Sequence, residues 1–256
     1  KLACDASGTL VVRKLLDGAT EEQRARILEQ LKDEVFNLST SRYGHGVVQK
    51  VVELLPGDGQ ARFVAEMHGR VIECIENTYG NHVIQTCIKH MLPAAVGFIV
   101  DAILANAERV AVHVYGCRVI QHLLTHCTPQ QFEGLPERLS GSIAKLARDN
   151  HGNYVVQAIL GNASLENKRS VIDVVRSNFV DFAKHKVASN IVEKCFEAVT
   201  AGADAESLKE AGGALWRTLL GDPGDPDPPL RQLMLDKFGA CTVQCVSKYC
   251  RGAERG

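Results

Sequence analysis

The 256-residue chain has no excess of charge of either sign, with 29 Lys and Arg residues against 30 Asp and Glu residues. Proteins that bind nucleic acid non-specifically usually carry a strongly basic surface, so this balance counts against that class but leaves room for a local basic stripe. No apolar run in the sequence approaches the ~20 residues that a membrane-spanning helix needs. We therefore expect no membrane association.

Catalytic and metal-binding motifs are also missing. The sequence contains no Walker loop, GxSxG, HExxH or paired-carboxylate arrangement, so we expect neither an enzyme nor a bound cofactor. The nine cysteines form no CxxC pair, and an odd number without framework spacing indicates reduced thiols inside the cell. His122, His126 and Cys127 lie close together, but no further ligand follows at a suitable spacing, so we predict no metal site.

A seven-residue block, in contrast, recurs along the chain. The first six blocks are spaced by 36 residues, and the last follows after 51. A period of this length is typical of a solenoid, because no single unit can bury its apolar face alone. The blocks are Gly8–Lys14 (GTLVVRK), Gly44–Lys50 (GHGVVQK), Gly80–Thr86 (GNHVIQT), Gly116–His122 (GCRVIQH), Gly152–Ala158 (GNYVVQA), Ala188–Lys194 (ASNIVEK) and Gly239–Cys245 (GACTVQC).

Apolar residues in and after each block recur at i, i+3, i+4 and i+7, which predicts a helix with one buried stripe. A second helix and a shorter apolar segment follow, and strand patterns are absent. The sequence therefore predicts an all-α solenoid of about seven three-helix units. The predicted second helices are Gln60–Glu66, Ala94–Leu104, Gln131–Leu139 and Leu165–Val175, and the short segments are Val71–Ile75, Val110–Val114, Ile143–Ala147 and Phe179–Ala183.

The long final spacing implies an insertion at about residues 200–229. Ser207–Glu210 has the pattern of a capping box and predicts a helix that continues to about Leu220. Gly221–Pro229 (GDPGDPDPP) is too rich in Pro and Gly for a helix or a sheet interior, so we expect an exposed acidic loop. This loop is either a tolerated surface insertion or a docking site for a protein partner.

Three positions in each block are polar and variable within an otherwise apolar repeat. Residues i and i+4 share one face of a helix, so we predict that the first and third of these positions project together and contact one object. We call these two residues the reader pair, and the residue after the first the middle residue. The reader pairs are Thr9/Arg13, His45/Gln49, Asn81/Gln85, Cys117/Gln121, Asn153/Gln157, Ser189/Glu193 and Ala240/Gln244, and the middle residues are Leu10, Gly46, His82, Arg118, Tyr154, Asn190 and Cys241.

Hydrogen-bonding pairs that alternate with planar groups suit unstacked bases, since stacking on a planar side chain contributes roughly 1–3 kcal/mol per base. The ionised carboxylate of Glu193 can only accept, as the two donors of the guanine edge require. Asn with Gln suits uracil, and the small Cys117 leaves room for adenine. A polar stripe on any solenoid is the ordinary alternative, but planar groups and five Gln residues in register favour base recognition.

Four blocks closely resemble Pumilio (PUF) repeats, which read one base per helical repeat. They are YGNHVIQ (Tyr79–Gln85), YGCRVIQ (Tyr115–Gln121), HGNYVVQ (His151–Gln157) and VASNIVEK (Val187–Lys194). The resemblance spans essentially the whole chain and implies one Pumilio homology domain over residues 1–256, folded as a curved solenoid. Family members usually have eight repeats, so the seven visible here look like repeats two to eight, and we expect one further unit upstream.

The resemblance also implies that single-stranded RNA lies on the inner face of a crescent, with its 5′ end at the C-terminal repeats. Carried over residue by residue, the central pairs spell G-U-A-U from 5′ to 3′, the centre of a UGUA-type element. The implied readers are Ser189/Glu193 for G, Asn153/Gln157 for U, Cys117/Gln121 for A and Asn81/Gln85 for U, with His82, Arg118, Tyr154 and Asn190 at the stacking position.

Three repeats depart from the family pattern. The last keeps only Gln244 of the expected uracil reader. The second pairs His45 with Gln49 and has no side chain at the middle position. The first combines Thr9 with Arg13, which resembles a cytosine-reading pair. We therefore expect a sharply specified centre and tolerant 3′ positions.

The family resemblance implies a monomeric regulator that binds 3′ untranslated regions of messenger RNA and represses translation or promotes decay. We expect it in the cytoplasm, with the nucleus or nucleolus as the alternative, and we expect protein co-regulators on the convex face or on loop 221–229. Two other hypotheses stay open. One is a PUF-like protein with loose sequence preference that acts in ribosomal RNA processing, and the other is a protein-binding solenoid of armadillo or HEAT type.

Overall fold

The computed structural model describes Ala3 and residues 5–250, apart from the side chains of residues 57 and 58. The regular structure in this part of the chain is helical throughout. Its contacts divide it into two compact units, which fall within Lys1–Phe132 and Glu133–Gly256. Among the described residues, no helix combines the length and the apolarity that crossing a bilayer requires.

The first unit is a succession of helices joined by short turns, with a 3₁₀ turn at Ala65–Met67. Its helices are α1 (Ala6–Gly18), α2 (Glu21–Leu31), α3 (Val35–Ser39), α4 (His45–Leu54), α5 (Gly57–Val64), α6 (Val71–Glu76), α7 (Gly80–His90), α8 (Pro93–Ala105), α9 (Ala107–Val112) and α10 (Gly116–His126).

The second unit continues the same order of short, block and second helices. Its helices are α11 (Leu135–Ser140), α12 (Ile143–Arg148), α13 (Gly152–Asn162), α14 (Leu165–Ser177), α15 (Phe179–Ala183), α16 (Ser189–Thr200), α17 (Lys209–Leu220), α18 (Pro229–Met234) and α19 (Lys237–Ser247).

Each seven-residue block lies in its own helix, as the periodicity predicts, except that Gly44 and Ala188 are the N-caps of their helices. We call α1, α4, α7, α10, α13, α16 and α19 the block helices. In the first unit α1 packs on α4, α4 on α7 and α7 on α10, and in the second α13 packs on α16 and α16 on α19. A short helix packs on the block helix that follows it in each case from α3 and α4 to α18 and α19. The all-α, three-helix repeat is therefore confirmed.

The apolar stripe of the block helices forms the core. In α7, Val83, Ile84 and Cys87 are completely buried. In α1 the prediction is wrong, because Val11 and Leu15 are 52% and 56% exposed. Helix α1 packs on α4, and its other face is uncovered within the described residues, so its stripe is buried on one side alone.

The glycine that leads most blocks is explained by close packing rather than by its backbone angles. A Cβ atom at Gly80 would lie 2.6 Å from the carbonyl oxygen of Cys74, and one at Gly239 would lie 2.6 Å from that of Leu233. Both carbonyls belong to the short helix just before the block. Any side chain at these positions would push the block helix away from its neighbour.

Three of the predicted helices, α5, α9 and α11, begin at least three residues away from their predicted starts; α5 begins at Gly57 instead of Gln60. Helix α11 begins at Leu135 instead of residue 131, because Gln131 Oε1 accepts the backbone N–H of Thr128 in a turn, and Gly134 follows with a left-handed φ of 84°. Helix α9 covers Ala107–Val112, three residues before the predicted start at Val110.

The insertion consists of a turn, helix α17 and an exposed loop. The predicted capping box is wrong, because α17 begins only at Lys209 and the preceding Leu208 has no side-chain oxygen to cap it. The turn is held instead by Lys168, which is 6% exposed and donates to Asp204 Oδ2 at 2.6 Å. Residues 222–227 are exposed, as the Pro and Gly content predicts.

Candidate nucleic-acid interface

A repeated cap fixes the start of each block helix. Asn77 Oδ1 accepts the backbone N–H groups of Tyr79 and Gly80 at 2.8 and 2.9 Å. This cap satisfies N–H groups that the first helical turn leaves unpaired, directly before the reader pair. The equivalent residues, each three before the first residue of a block, are Asp5, Ser41, Asn77, His113, Asp149, His185 and Asp236.

These caps were not predicted from the sequence, although the first six share the 36-residue spacing of the blocks. Four different residue types occupy the position, so it does not stand out as a motif. The common property is an acceptor atom of suitable reach. His113 and His185 supply it through Nδ1, which must be unprotonated to accept the backbone N–H groups.

The middle residues of the central repeats project into solvent. His82 and Arg118 are exposed in the first unit, and Tyr154 and Asn190 are exposed in the second. Tyr154 has 51% of its surface exposed although it is a large aromatic side chain. Their accessibility fits the predicted stacking role, which stays a prediction.

The first residue of each central reader pair does not project, contrary to the sequence-based expectation. These residues lie in the first turn of the block helix, against the turn that precedes it. In α7, for example, the Asn81 amide nitrogen donates to the carbonyl groups of Asn77 and Thr78, both at 2.9 Å. The exposed fractions are 0% for Asn81, 2% for Cys117, 2% for Asn153 and 8% for Ser189.

The buried asparagine instead holds the second residue of the pair. Gln85 Nε2 donates to Asn81 Oδ1 at 2.9 Å, and Gln157 Nε2 donates to Asn153 Oδ1 at 3.0 Å. Both glutamines are partly exposed, and their side-chain oxygens accept no hydrogen bond within the described residues. Each glutamine therefore presents one acceptor and one unused N–H, which together match the N3–H and a carbonyl oxygen of uracil.

The pair in α10 is held differently because cysteine has no amide. Gln121 Nε2 donates to the backbone carbonyl of Cys117 at 3.0 Å, and the Cys117 thiol points to the carbonyl of Val114 at 3.6 Å. The Cys117 side chain is buried and smaller than the asparagine of the other pairs. This arrangement is compatible with a larger base than the Asn–Gln pairs accept.

Glu193 presents a partly exposed carboxylate on α16. The Cys245 side chain from α19 lies against it. Burial raises the pKa of the Cys245 thiol, and the charge and hydrogen bonding of Glu193 raise that pKa further. The thiol therefore stays protonated near neutral pH and can donate to the Glu193 side chain.

The structure does not join His45 and Gln49 into a pair. His45 Nδ1 lies 3.1 Å from the carbonyl oxygen of Ser41, and its ring stacks on Tyr79 with 5.2 Å between centroids. Gln49 Nε2 donates to Thr86 Oγ1 at 2.8 Å on the neighbouring helix α7. The two side chains are thus drawn to different partners, and the second repeat lacks the reader geometry of the third.

His82 lies beside two other basic groups. Burial lowers the pKa of His82 most, and electrostatic interaction with His45 and Arg118 lowers it further. The ring is therefore neutral at pH 7, since the ordinary imidazole value is about 6.5. A neutral exposed imidazole is a flat surface available for stacking.

The first and last repeats lack a preorganised reader pair. The Thr9 hydroxyl donates to the carbonyl of Tyr43 at 2.8 Å, while Arg13 is exposed. Helix α19 begins at Lys237, two residues before the block, and both Ala240 and Gln244 are exposed. The Gln244 side chain has no hydrogen bond within the described residues that would orient it.

Two of the residues that resembled metal ligands, His122 and His126, contact each other on helix α10. The rings of His122 and His126 lie 5.2 Å apart, and no group of three or more metal-ligating side chains lies together in the described part of the chain. Burial raises the pKa of Cys74 and Cys87 to about 12, so these thiols are unreactive. The described cysteines form no disulfide bond with one another, and Cys4 lies outside the described residues.

The fold and the repeated polar positions define an α-helical repeat protein that presents one set of polar and planar side chains per repeat. The chain belongs to the Pumilio family of RNA-binding repeat proteins. The model of the Pumilio-family RNA binding repeat matches residues 1–32, 34–68, 70–104, 106–135, 142–176 and 178–202. The seventh block, which begins at Gly239, lies outside these matches.

Solved Pumilio-family structures resemble the chain over nearly its full length. The PUF-8 complex with PBE-RNA has a TM-score of 0.91 at 28% identity, covering 99% of this chain and 72% of that chain. The Puf3 RNA-binding domain bound to Cox17 RNA 3′ UTR recognition sequence site B has a TM-score of 0.86 at 27% identity, and the match covers 99% of this chain and 73% of that chain. The RNA-binding domain of yeast Puf5p bound to SMX2 RNA has a TM-score of 0.76 at 26% identity, and the match covers 96% of this chain and 71% of that chain. None of the curated proteins is a significant match to the chain.

Proposed function

We propose that this protein binds single-stranded RNA sequence-specifically, with one base per repeat and the central order G-U-A-U from 5′ to 3′. The observation that carries the proposal is the Asn–Gln hydrogen-bonded pair, which recurs in α7 and α13 beside an exposed planar middle residue. Similar proteins, including Puf3 and PUF-8, have been solved in complex with RNA. The family assignment favours this function over a protein-binding solenoid of armadillo or HEAT type.

Each central base has a chemical counterpart in the reader pairs. Gln85 and Gln157 each offer one donor and one acceptor to a uracil edge. Glu193 offers two acceptor oxygens to the N1–H and N2 amine of guanine. Gln121, with the small Cys117 behind it, takes adenine. The bases follow the repeats in reverse order, with the 5′ end at the C-terminal repeats.

The cellular role that we propose is post-transcriptional. The protein binds UGUA-like elements in 3′ untranslated regions of messenger RNA in the cytoplasm, and it represses translation or promotes decay by recruiting other factors. The exposed acidic loop at residues 222–227 is accessible for such a co-regulator. This role rests on the family and not on the geometry of the reader pairs.

Binding to two RNAs that differ in one base tests the recognition. Fluorescence anisotropy compares an RNA containing UGUAU with its UAUAU variant at the same salt concentration, because phosphate contacts make affinity salt-dependent. Loss of the two guanine donors should weaken binding by about tenfold or more, since one well-matched base contact is worth about 1–3 kcal/mol. Equal affinities would contradict the proposal and favour the alternative of loose recognition of ribosomal RNA.

A reporter experiment tests the cellular role separately. A reporter messenger RNA with UGUAU in its 3′ untranslated region should give less protein, or decay faster, than one with UAUAU when this protein is expressed. The Glu193→Gln variant serves as the control, because it removes one guanine acceptor while keeping the shape of the side chain. If the protein binds UGUAU in vitro but leaves both reporters equal, the regulatory role is wrong and the recognition stands.

A further inference from the structure

Helix α4 lacks the side chain that the central block helices present at their middle position. That position is Gly46 in the second repeat, where the third, fourth and fifth repeats have His82, Arg118 and Tyr154. The neighbouring helix α1 fills the space. A Cβ atom at Gly46 would lie 3.7 Å from both Cδ and Nη1 of Arg13, which is ordinary van der Waals contact. The Arg13 side chain therefore lies over the place where a stacking side chain would begin.

The guanidinium of Arg13 is available for a new contact. It is exposed, and it makes no hydrogen bond or ion pair within the described residues. Other arginines near it differ in this respect, because Arg24 donates to the carbonyl of Leu16 and Arg26 pairs with Glu22 at 2.7 Å. A planar guanidinium stacks well on flat groups, and here no existing contact has to be broken first.

The surrounding polar groups do not form a base-edge reader with Arg13. The Thr9 hydroxyl is occupied by the carbonyl of Tyr43, and the Gln49 amide nitrogen is occupied by Thr86. What the second repeat offers beside Gly46 is a flat surface, the His45 ring stacked on Tyr79. A site with flat groups and few free hydrogen-bonding groups favours contact with the face of a base over recognition of its edge.

We propose that Arg13 is the stacking residue of the second repeat, supplied from the first. Its guanidinium replaces the absent middle side chain and covers one face of a base 3′ of the central G-U-A-U. This inference rests on the proposed function and assigns Arg13 a role different from cytosine recognition. Because every base has a π-face, the contact adds affinity without base preference, in keeping with tolerant 3′ positions.

Binding to two RNAs distinguishes a stacking contact of Arg13 with a base from a contact of its charge with phosphate. One carries two ordinary nucleotides after UGUAU, and the other carries abasic nucleotides at both places, so that only the bases differ. For the wild type, removal of these bases should weaken binding by about fivefold or more. For Arg13→Ala the same removal should weaken binding less than twofold. Arg13→Lys should resemble Arg13→Ala, because it keeps the charge and loses the plane.

Two further variants complete the design. Gly46→Tyr combined with Arg13→Ala should restore the loss on base removal to at least fivefold, because the tyrosine places a planar group on α4 itself and the site has room for its Cβ atom. Arg26→Ala is the matched control, since it removes one positive charge from the same repeat at a residue already paired with Glu22. It should leave the effect of base removal at the wild-type value.

A different pattern would overturn the inference. If Arg13→Ala weakens binding of both RNAs equally and Arg13→Lys binds like the wild type, Arg13 contacts a phosphate and not a base. If the wild type binds the two RNAs equally, no base is stacked there. Either result leaves the proposed function intact as long as UGUAU is still preferred over UAUAU, whereas loss of that preference in the wild type would defeat the proposed function itself.

Discussion

Gln157 Nε2 donates a 3.0 Å hydrogen bond to Asn153 Oδ1, and this contact joins a partly exposed residue to one that is 2% exposed. Asn153 is held in turn by the carbonyl groups of Asp149 and Asn150. The exposed amide is thus oriented by a buried one that is fixed to the backbone. Such preorganisation lowers the entropy that ordering the side chain on binding would cost.

We expect Asn153→Ala to weaken binding of UGUAU-containing RNA by about fivefold, because Gln157 loses the acceptor that orients it and one hydrogen bond is worth about 1 kcal/mol. The free energy of unfolding should fall by about 1–2 kcal/mol, since buried carbonyl groups lose a donor. Anisotropy and urea denaturation measure the two effects. Asn162→Ala is the control, because Asn162 lies on the same helix, is exposed, and has a side chain whose only hydrogen bond within the described residues is to the carbonyl of Ala158.

The same variant allows a double-mutant cycle with Gln157→Ala. If Asn153 acts by orienting Gln157, the affinity losses of the two single variants should not add in the double variant. Additive losses would mean that Asn153 contributes independently of Gln157, and the orienting role would then be wrong.

The order of the repeats and the position of the block helices could be predicted because they depend on periodicity, which the sequence displays directly. The burial of Asn81 and Ser189 could not be predicted from the sequence. A helical pattern shows that residues i and i+4 share a face, but it does not show how deeply the turn before the helix covers the first of them. For Asn81 this depth follows from the close approach at the leading glycine, where Gly80 lies against the Cys74 carbonyl.

The second repeat shows that local sequence spacing does not predict which partners a side chain finds in a neighbouring repeat. His45 and Gln49 have the spacing of a reader pair and side chains that could serve as one. The structure turns them to Tyr79 and Thr86 on the neighbouring helix, and such competing partners come from another repeat, which local spacing does not represent. The role proposed for Arg13 likewise depends on a contact between helices α1 and α4.

Exchange of a complete reader pair tests whether the repeats act independently. Ser189→Asn with Glu193→Gln reproduces on α16 the pair that α13 already has in Asn153 and Gln157. The preference at that one base should change from G to U by about tenfold, with no change at neighbouring bases. Competition binding with four RNAs that differ at this position measures the change. A variant that loses affinity for all four RNAs equally would argue against modular reading.

The packing at the leading glycines predicts a stability difference between two glycine variants. Gly80→Ala should lower the free energy of unfolding by about 1–3 kcal/mol, because the new methyl group meets the Cys74 carbonyl at 2.6 Å. Gly97→Ala in α8 is the matched control, since no atom lies within 4 Å of its Cβ position. It should be neutral or raise stability by up to about 1 kcal/mol, because alanine favours a helix. Equal effects in urea denaturation would show that glycine is not required by packing.

The pH dependence of stability should carry a contribution from His122. Burial lowers the pKa of His122 in the folded state, and electrostatic interaction with His126 and Lys89 lowers it further. As the pH falls below about 6.5, the unfolded chain therefore binds a proton before the folded chain does, and the free energy of unfolding decreases. His122 Nδ1 is also buried and has no hydrogen-bond partner among the described residues, so no acceptor there compensates the charged form. Urea denaturation between pH 7.5 and 5.5 should show a smaller decrease for His122→Gln and His122→Phe than for the wild type. If both variants lose stability over this range as steeply as the wild type, His122 does not contribute to the acid sensitivity.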